Sequence, residues 1–133
     1  MKAIKASITK GIQIGTEMET CDNSGAKIVK VVTVVGAKTT KGRKPSCGVA
    51  DLVQVAVKSG KQDVRKQVMF AVIVRQKKEY RRSNGMRIKF EDNSCIILKD
   101  NKGNPKGTMV KGPVAKEVCD RWAPLAKLAS VVV

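Results

Sequence analysis

Apolar residues along this chain recur mostly at intervals of two, the period of a strand with one face on a core. Val53, Val55 and Val57 share a face in the stretch from Leu52 to Lys58. Val68, Phe70, Val72 and Val74 share one face of the next stretch, and Met69, Ala71 and Ile73 share the other. Apolar residues on both faces predict a central strand, covered on both sides. Ile28 to Val35 is rich in β-branched residues and too short for a lone helix. Thr16 to Cys21 leads into it through the turn cluster Asp22-Asn23-Ser24-Gly25. Ser83-Asn84-Gly85 predicts a hairpin with a type I′ turn, because Asn-Gly tolerates positive φ. Beyond it Met86, Ile88 and Phe90 are expected to point inward, with Arg87 and Lys89 outward. Glu91-Asp92-Asn93 reads as a turn and Cys95 to Leu98 as a further strand. Five or six short strands with tight turns predict a mainly β fold: a small barrel of the OB or a related type, which leaves no sheet edge open.

The C-terminal region, from about residue 100, changes period. Asp100 to Gly107 is a loop by its Gly and Pro content. Gly112-Pro113 predicts a helix start, with Pro at the first helical position. Val114 and Val118 lie four apart, and Ala115, Cys119 and Trp122 also fall at helical spacing. Glu117 precedes Arg121 by four, the favourable order for a surface pair. Pro124 ends this helix at or before Ala123, and Leu125 to Ser130 adds a short turn or helix. The length of 133 residues predicts one domain, with the barrel over about 16–99 and loops with short helices over about 100–133. Gly36 to Ala50 fits no element; it is basic, holds three Gly and one Pro, and has little apolar content. A long irregular loop of this kind in a compact domain is commonly functional.

Charge then changes the picture. Lys and Arg number 27 against 11 Asp and Glu, a net +16. Residues 36–90 hold fifteen of the basic and only three of the acidic residues. An ordinary solvated face interleaves both signs, so this segregation points to a polyanion, with nucleic acid ahead of an anionic membrane. The candidate phosphate ligands are Lys38, Lys41, Arg43 and Lys44 in the loop, and Lys58, Lys61, Arg65 and Lys66 in the next connection. Arg75, Lys77, Lys78, Arg81 and Arg82, followed by Arg87 and Lys89, lie along the hairpin. Tyr80, between Lys77-Lys78 and Arg81-Arg82, is the one ring placed to stack on a base; Phe70 and Phe90 read as core. So few rings argue against a sequence-reading single-strand module and favour backbone and shape, as in folded RNA.

Other chemistries lack their residues. There is no His, hence no His-based triad, general base or metal site. Cys21, Cys47, Cys95 and Cys119 are too far apart for a zinc motif and read as reduced thiols. No phosphate-binding glycine loop is present, and Glu91-Asp92 reads as a solvated turn rather than a catalytic pair. No enzyme, metal, cofactor or small-molecule substrate is expected. The longest apolar run, Val68 to Val74, is far short of the ~18–20 residues of a membrane span, and the N-terminus does not resemble a secretory signal.

Several segments, in order, resemble ribosomal protein fourteen of the large subunit in its archaeal or eukaryote-like form. They are Asp22-Asn23-Ser24-Gly25-Ala26-Lys27, Ala71 through Lys78, Tyr80-Arg81-Arg82, and Asn84-Gly85 leading to Phe90-Glu91-Asp92-Asn93. Lys106-Gly107-Thr108 and Gly112-Pro113-Val114-Ala115-Lys116-Glu117 follow. The resemblance implies a five-stranded barrel that binds large-subunit rRNA and meets small-subunit rRNA at an intersubunit bridge, in a cytoplasmic ribosome. It also implies ribosomal protein three, the L-twenty-four-e protein and the anti-association initiation factor six as neighbours. On that basis Arg75, Lys77, Lys78, Arg81 and Arg82 are rRNA ligands. Gly107, Thr108, Met109, Lys111, Pro113, Val114, Lys116 and Glu117 belong to the intersubunit and factor side. The chain departs from the family at Ala50, where a second glycine is usual, and at Met109, where bacterial members carry a basic residue. A free single-stranded nucleic-acid-binding chaperone of OB type is the alternative.

Overall fold

The computed structural model describes residues 1–133. In chain order its elements are β1 Ala6–Ser7, β2 Ile12–Gln13, β3 Glu17–Thr20, β4 Ala26–Val34, β5 Ser46–Cys47, β6 Leu52–Gly60 and β7 Val68–Arg75. There follow β8 Tyr80–Arg82, β9 Arg87–Ile88, β10 Ser94–Ile97, β11 Pro113–Val114, α1 Lys116–Arg121, α2 Ala123–Leu128 and β12 Val131–Val132. Five strands close a barrel in the order β10-β3-β4-β6-β7. The β10–β3 pair is parallel and the others are antiparallel. Register shifts along β4 bend this long strand, and bulges of this kind give a small sheet the coil it needs to close.

Side-chain alternation sorts the core into two compartments. Val29, Val31, Val53, Val55, Val57, Ala71, Ile73, Cys95 and Ile97 fill the barrel. Val72 and Val74 of β7, Ile96 of β10 and Leu98 just after it face outward and are covered by Val114, Ala115, Val118, Trp122 and Leu125. Strand β7 therefore contributes to both cores, as its two apolar faces predict. The C-terminal region is folded over one wall of the barrel because that wall is apolar.

Four local expectations are corrected. The 83–85 turn is not type I′: Gly85 alone has positive φ, and the Gly85 amide donates to the Arg82 carbonyl at 3.0 Å. That is the pattern of a three-residue loop with Gly in the left-handed position. Met86 is 66% exposed rather than inward, while Ile88 and Phe90 are half-buried. Pro113 opens no helix; it pairs in β11 with β12, and α1 begins at Lys116. As expected, α1 ends before Ala123 and Pro124 stands at the start of the second short helix, α2. Finally, the irregular loop is shorter than Gly36 to Ala50. Ser46–Cys47 pair with β2, and Cys47 to Ala50 are buried.

Ala50 carries a left-handed φ of 70° and is fully buried. For a residue with a Cβ this costs about 1–2 kcal/mol. The Trp122 indole donates to the Ala50 carbonyl at 2.9 Å, and Arg121 adds a longer bond at 3.3 Å. Both hold the strained turn at the entry to β6.

Three thiols are buried and one, Cys119, is partly exposed. Burial pushes the Cys21 and Cys47 thiols up to about 12 and raises Cys95 strongly. Their protonated forms are favoured by folding, so this stabilisation is complete below the unfolded thiol value near 9. It is lost as pH rises from about 9 towards 12. Thermal melts are expected to fall steadily across that window. In native protein at pH 8, a thiol reagent is expected to label Cys119 first and the other three only after denaturation.

Candidate nucleic-acid interface

The barrel separates what the sequence runs together. Val34 pairs with Val53 at one end, and Ala26 pairs with Gly60 at the other. The loop with Lys38, Lys41, Arg43 and Lys44 thus leaves the same end as the C-terminus of β7 and the hairpin after it. Lys61, Arg65 and Lys66 sit at the opposite end, in a tight turn where the Lys61 amide donates to the Gly25 carbonyl and the Arg65 amide to the Lys61 carbonyl. All seven side chains are exposed. The Thr39 hydroxyl donates to the Arg43 carbonyl at 2.8 Å, which gives the loop one internal tie.

Only six of the 27 cations make ion pairs: Lys10, Lys58, Arg75, Lys78, Arg82 and Arg121. Lys58 pairs with Glu17 and Lys78 with Glu79, both in water, where such pairs hold little energy. Lys77 and Arg81 are exposed and unpaired, as are Arg87 and Lys89 beyond them.

Arg75 and Arg82 are placed differently from the exposed cations. Arg75 is 9% exposed and spends its guanidinium inside the protein. It grips Asp92 with two bonds of 2.9 and 3.0 Å, the Ser94 hydroxyl at 2.9 Å, and the carbonyls of Lys111 and Pro113 at 3.1 and 3.0 Å. A guanidinium has five N–H donors, so none is left for a phosphate. Partial burial alone would raise Asp92, but the Arg75 and Ser94 bonds overcome it and hold the carboxyl below its usual value. Arg75 ties β7 and β10 to the 111–113 segment. Gly112 is required beside it: φ is +80° there, and a Cβ would stand 2.6 Å from an Arg75 nitrogen.

The Tyr80 ring is fully buried and has no face to offer a base. Its hydroxyl donates to Glu117 at 2.8 Å, and Arg82 donates to the same carboxylate at 2.8 and 3.3 Å. Burial, then the Glu117 carboxylate, raises the phenol above its ordinary value. Glu117 is therefore buried and pairs with Arg82, while Arg121 reaches Asp51 instead. Val114 is also buried, and Pro113 is half-buried. Of the residues expected on the intersubunit side, Thr108, Met109, Lys111 and Lys116 are exposed and Gly107 is half-buried.

Residues 11–133 match the family described as ribosomal protein L14p/L23e. Three curated relatives are named large ribosomal subunit protein uL14, and each alignment covers the whole of both chains. Identity is 52% to the protein of Nanoarchaeum equitans, 47% to that of Methanothrix thermoacetophila and 44% to that of Methanocella arvoryzae. The chain belongs to the L14p/L23e family. Membership makes it a structural protein of the large ribosomal subunit and not an enzyme.

In this family member, two uncharged side chains to which sequence reading gives no site role organise the surface. Asn23 fastens the 107–109 tip: its carbonyl oxygen accepts from the amides of Thr108 (2.7 Å) and Met109 (3.1 Å), and its amide donates to the Thr108 hydroxyl at 2.9 Å. Gln76 is fully buried at the root of the hairpin. It accepts from the Val49 amide and donates to the carbonyls of Thr9 and Lys78. The available signal for Gln76 was an uncharged polar residue directly after an apolar run. Asn23→Ala removes three bonds from a largely exposed site and is expected to cost about 1–2 kcal/mol. Faster hydrogen exchange at the Thr108 and Met109 amides, with the barrel amides unchanged, is the expected signature.

Proposed function

We propose that this chain binds large-subunit rRNA by charge neutralisation at both ends of a rigid barrel. Lys38, Lys41, Arg43 and Lys44 act at one end, with Lys77 and Arg81 of the hairpin, and Lys61, Arg65 and Lys66 act at the other. The observation that carries this reading is the pool of exposed cations without carboxylate partners, on a chain whose relatives are large-subunit proteins. Fixed cations at opposite ends suit a protein wedged between separate rRNA segments, whose phosphates otherwise repel.

The tip at Gly107, Thr108 and Met109, with Lys111 and Lys116, is the proposed intersubunit contact, meeting small-subunit rRNA at a bridge. Val114 and Glu117 support it from beneath. The C-terminal face is the proposed seat for ribosomal protein three, the L-twenty-four-e protein and initiation factor six. Association with large-subunit rRNA is expected to weaken with salt, with a log–log slope of about −0.7 to −0.9 per phosphate neutralised. Sedimentation of a lysate tests the reading: the chain should travel with large subunits at low salt. A free pool at low and high salt alike contradicts it.

A further inference from the structure

A groove on the outer wall of the barrel is bordered by Gln67 and Lys106, next in sequence to Lys66 and Gly107 of the surfaces above. Val68 and Phe70 at the start of β7 form its floor with Leu98, Met69 from the opposite face of the strand lines its edge, and Lys99 and Lys106 stand on its rim. Val68 is 60% exposed and Phe70, packed against the outer core, is half-buried, so a valine and part of a benzene ring reach water side by side. The lysines are held in register. Leu98 and Pro105 form an antiparallel bridge, the Lys99 amide donates to the Asn104 carbonyl, and the Lys106 amide donates to the Ile97 carbonyl. The Lys106 ammonium reaches 4.0 Å from the Met69 sulfur, at the edge of the floor. No carboxylate lines the groove, and neither lysine has an ion-pair partner.

We propose that this groove holds a single unstacked nucleotide of RNA, its base against Phe70 beside Val68 and its phosphate between Lys99 and Lys106. The inference rests on the reading that the chain binds rRNA, and it adds a contact that carries no part of the basic segment 36–90 except the floor of β7. Charge complementarity selects the occupant. An apolar floor alone accepts many ligands, but two unpaired cations with no acidic residue select a flat apolar group joined to an anion. An aromatic ring with a cationic border is the usual platform for a splayed base. The site also adjoins the Gly107–Met109 tip through Lys106, so one RNA element can reach both.

The test uses the full chain and two RNA hairpins that differ only in one bulged 2-aminopurine. The protein is expected to bind the bulged hairpin about tenfold more tightly, the low end of base–aromatic stacking, and to quench the bulged base. Phe70→Leu keeps an apolar floor without the ring and is expected to abolish both the preference and the quench. Its affinity for the paired hairpin should stay unchanged. Lys99→Gln with Lys106→Gln should lower the salt slope for the bulged hairpin only. A 4-thiouridine at the bulge, cross-linked to the wild-type chain, should map to residues 67–70, a readout that needs no variant. Equal affinity for both hairpins, or cross-links only elsewhere, overturns the groove site, including the case in which a protein segment fills it. Failure to bind either hairpin at low salt instead removes the RNA-binding reading beneath it.

Discussion

Arg75→Met is expected to destabilise the fold by about 3–5 kcal/mol, the cost of breaking a buried ion pair, and to lower Tm by roughly 10–20 °C. The change removes five hydrogen bonds and leaves two carbonyls, a serine and Asp92 without their partner. Asp92 is 41% exposed and recovers water, which keeps the loss at the lower end of that range. Arg75→Lys should not rescue it, because an ammonium cannot grip a carboxylate with two parallel bonds and still reach both carbonyls. Chemical denaturation checks this directly. A loss under about 1 kcal/mol, with RNA affinity reduced instead, returns Arg75 to the RNA surface.

The second large effect lies at the loop. Joint replacement of Lys38, Lys41, Arg43 and Lys44 by Gln is expected to leave stability within about 0.5 kcal/mol, since all four are exposed and unpaired. RNA affinity should fall about a hundredfold or more near 0.1 M salt, with the salt slope shallower by about 3, if each cation meets a phosphate. Titration of a large-subunit rRNA fragment at several salt concentrations measures both quantities. An unchanged slope shows that the loop faces away from RNA. Together the two variants separate cations that hold the protein from cations that hold its partner.

That separation is where sequence reading stopped. The strands were legible because burial repeats every second residue: Val53, Val55 and Val57 fill the barrel, and the two faces of β7 serve two cores. The basic character of the chain was legible for the same reason, since charge needs no fold to be counted. The division of labour among the cations was not. Arg75 and Arg81 are six positions apart in one basic run, yet Arg75 is saturated by groups from residues 92–113 and Arg81 is free. Tyr80 stood among cations as a stacking candidate, but its partner Glu117 lies 37 residues away and arrives only when the C-terminal region packs on the barrel. Spacing on one helix suggested Glu117 with Arg121, whereas tertiary packing gave each a different partner. The placement of the basic loop and the Lys61 turn at opposite barrel ends likewise follows from register, which a linear charge profile does not contain.

Lysine acetylation, run on the free chain and on intact large subunits and read residue by residue, tests the central claim most directly. Lys38, Lys41, Lys44, Lys61, Lys66 and Lys77 should react readily in the free protein and be protected in the particle at both barrel ends. Equal reactivity of these lysines in the particle and in the free chain contradicts the account.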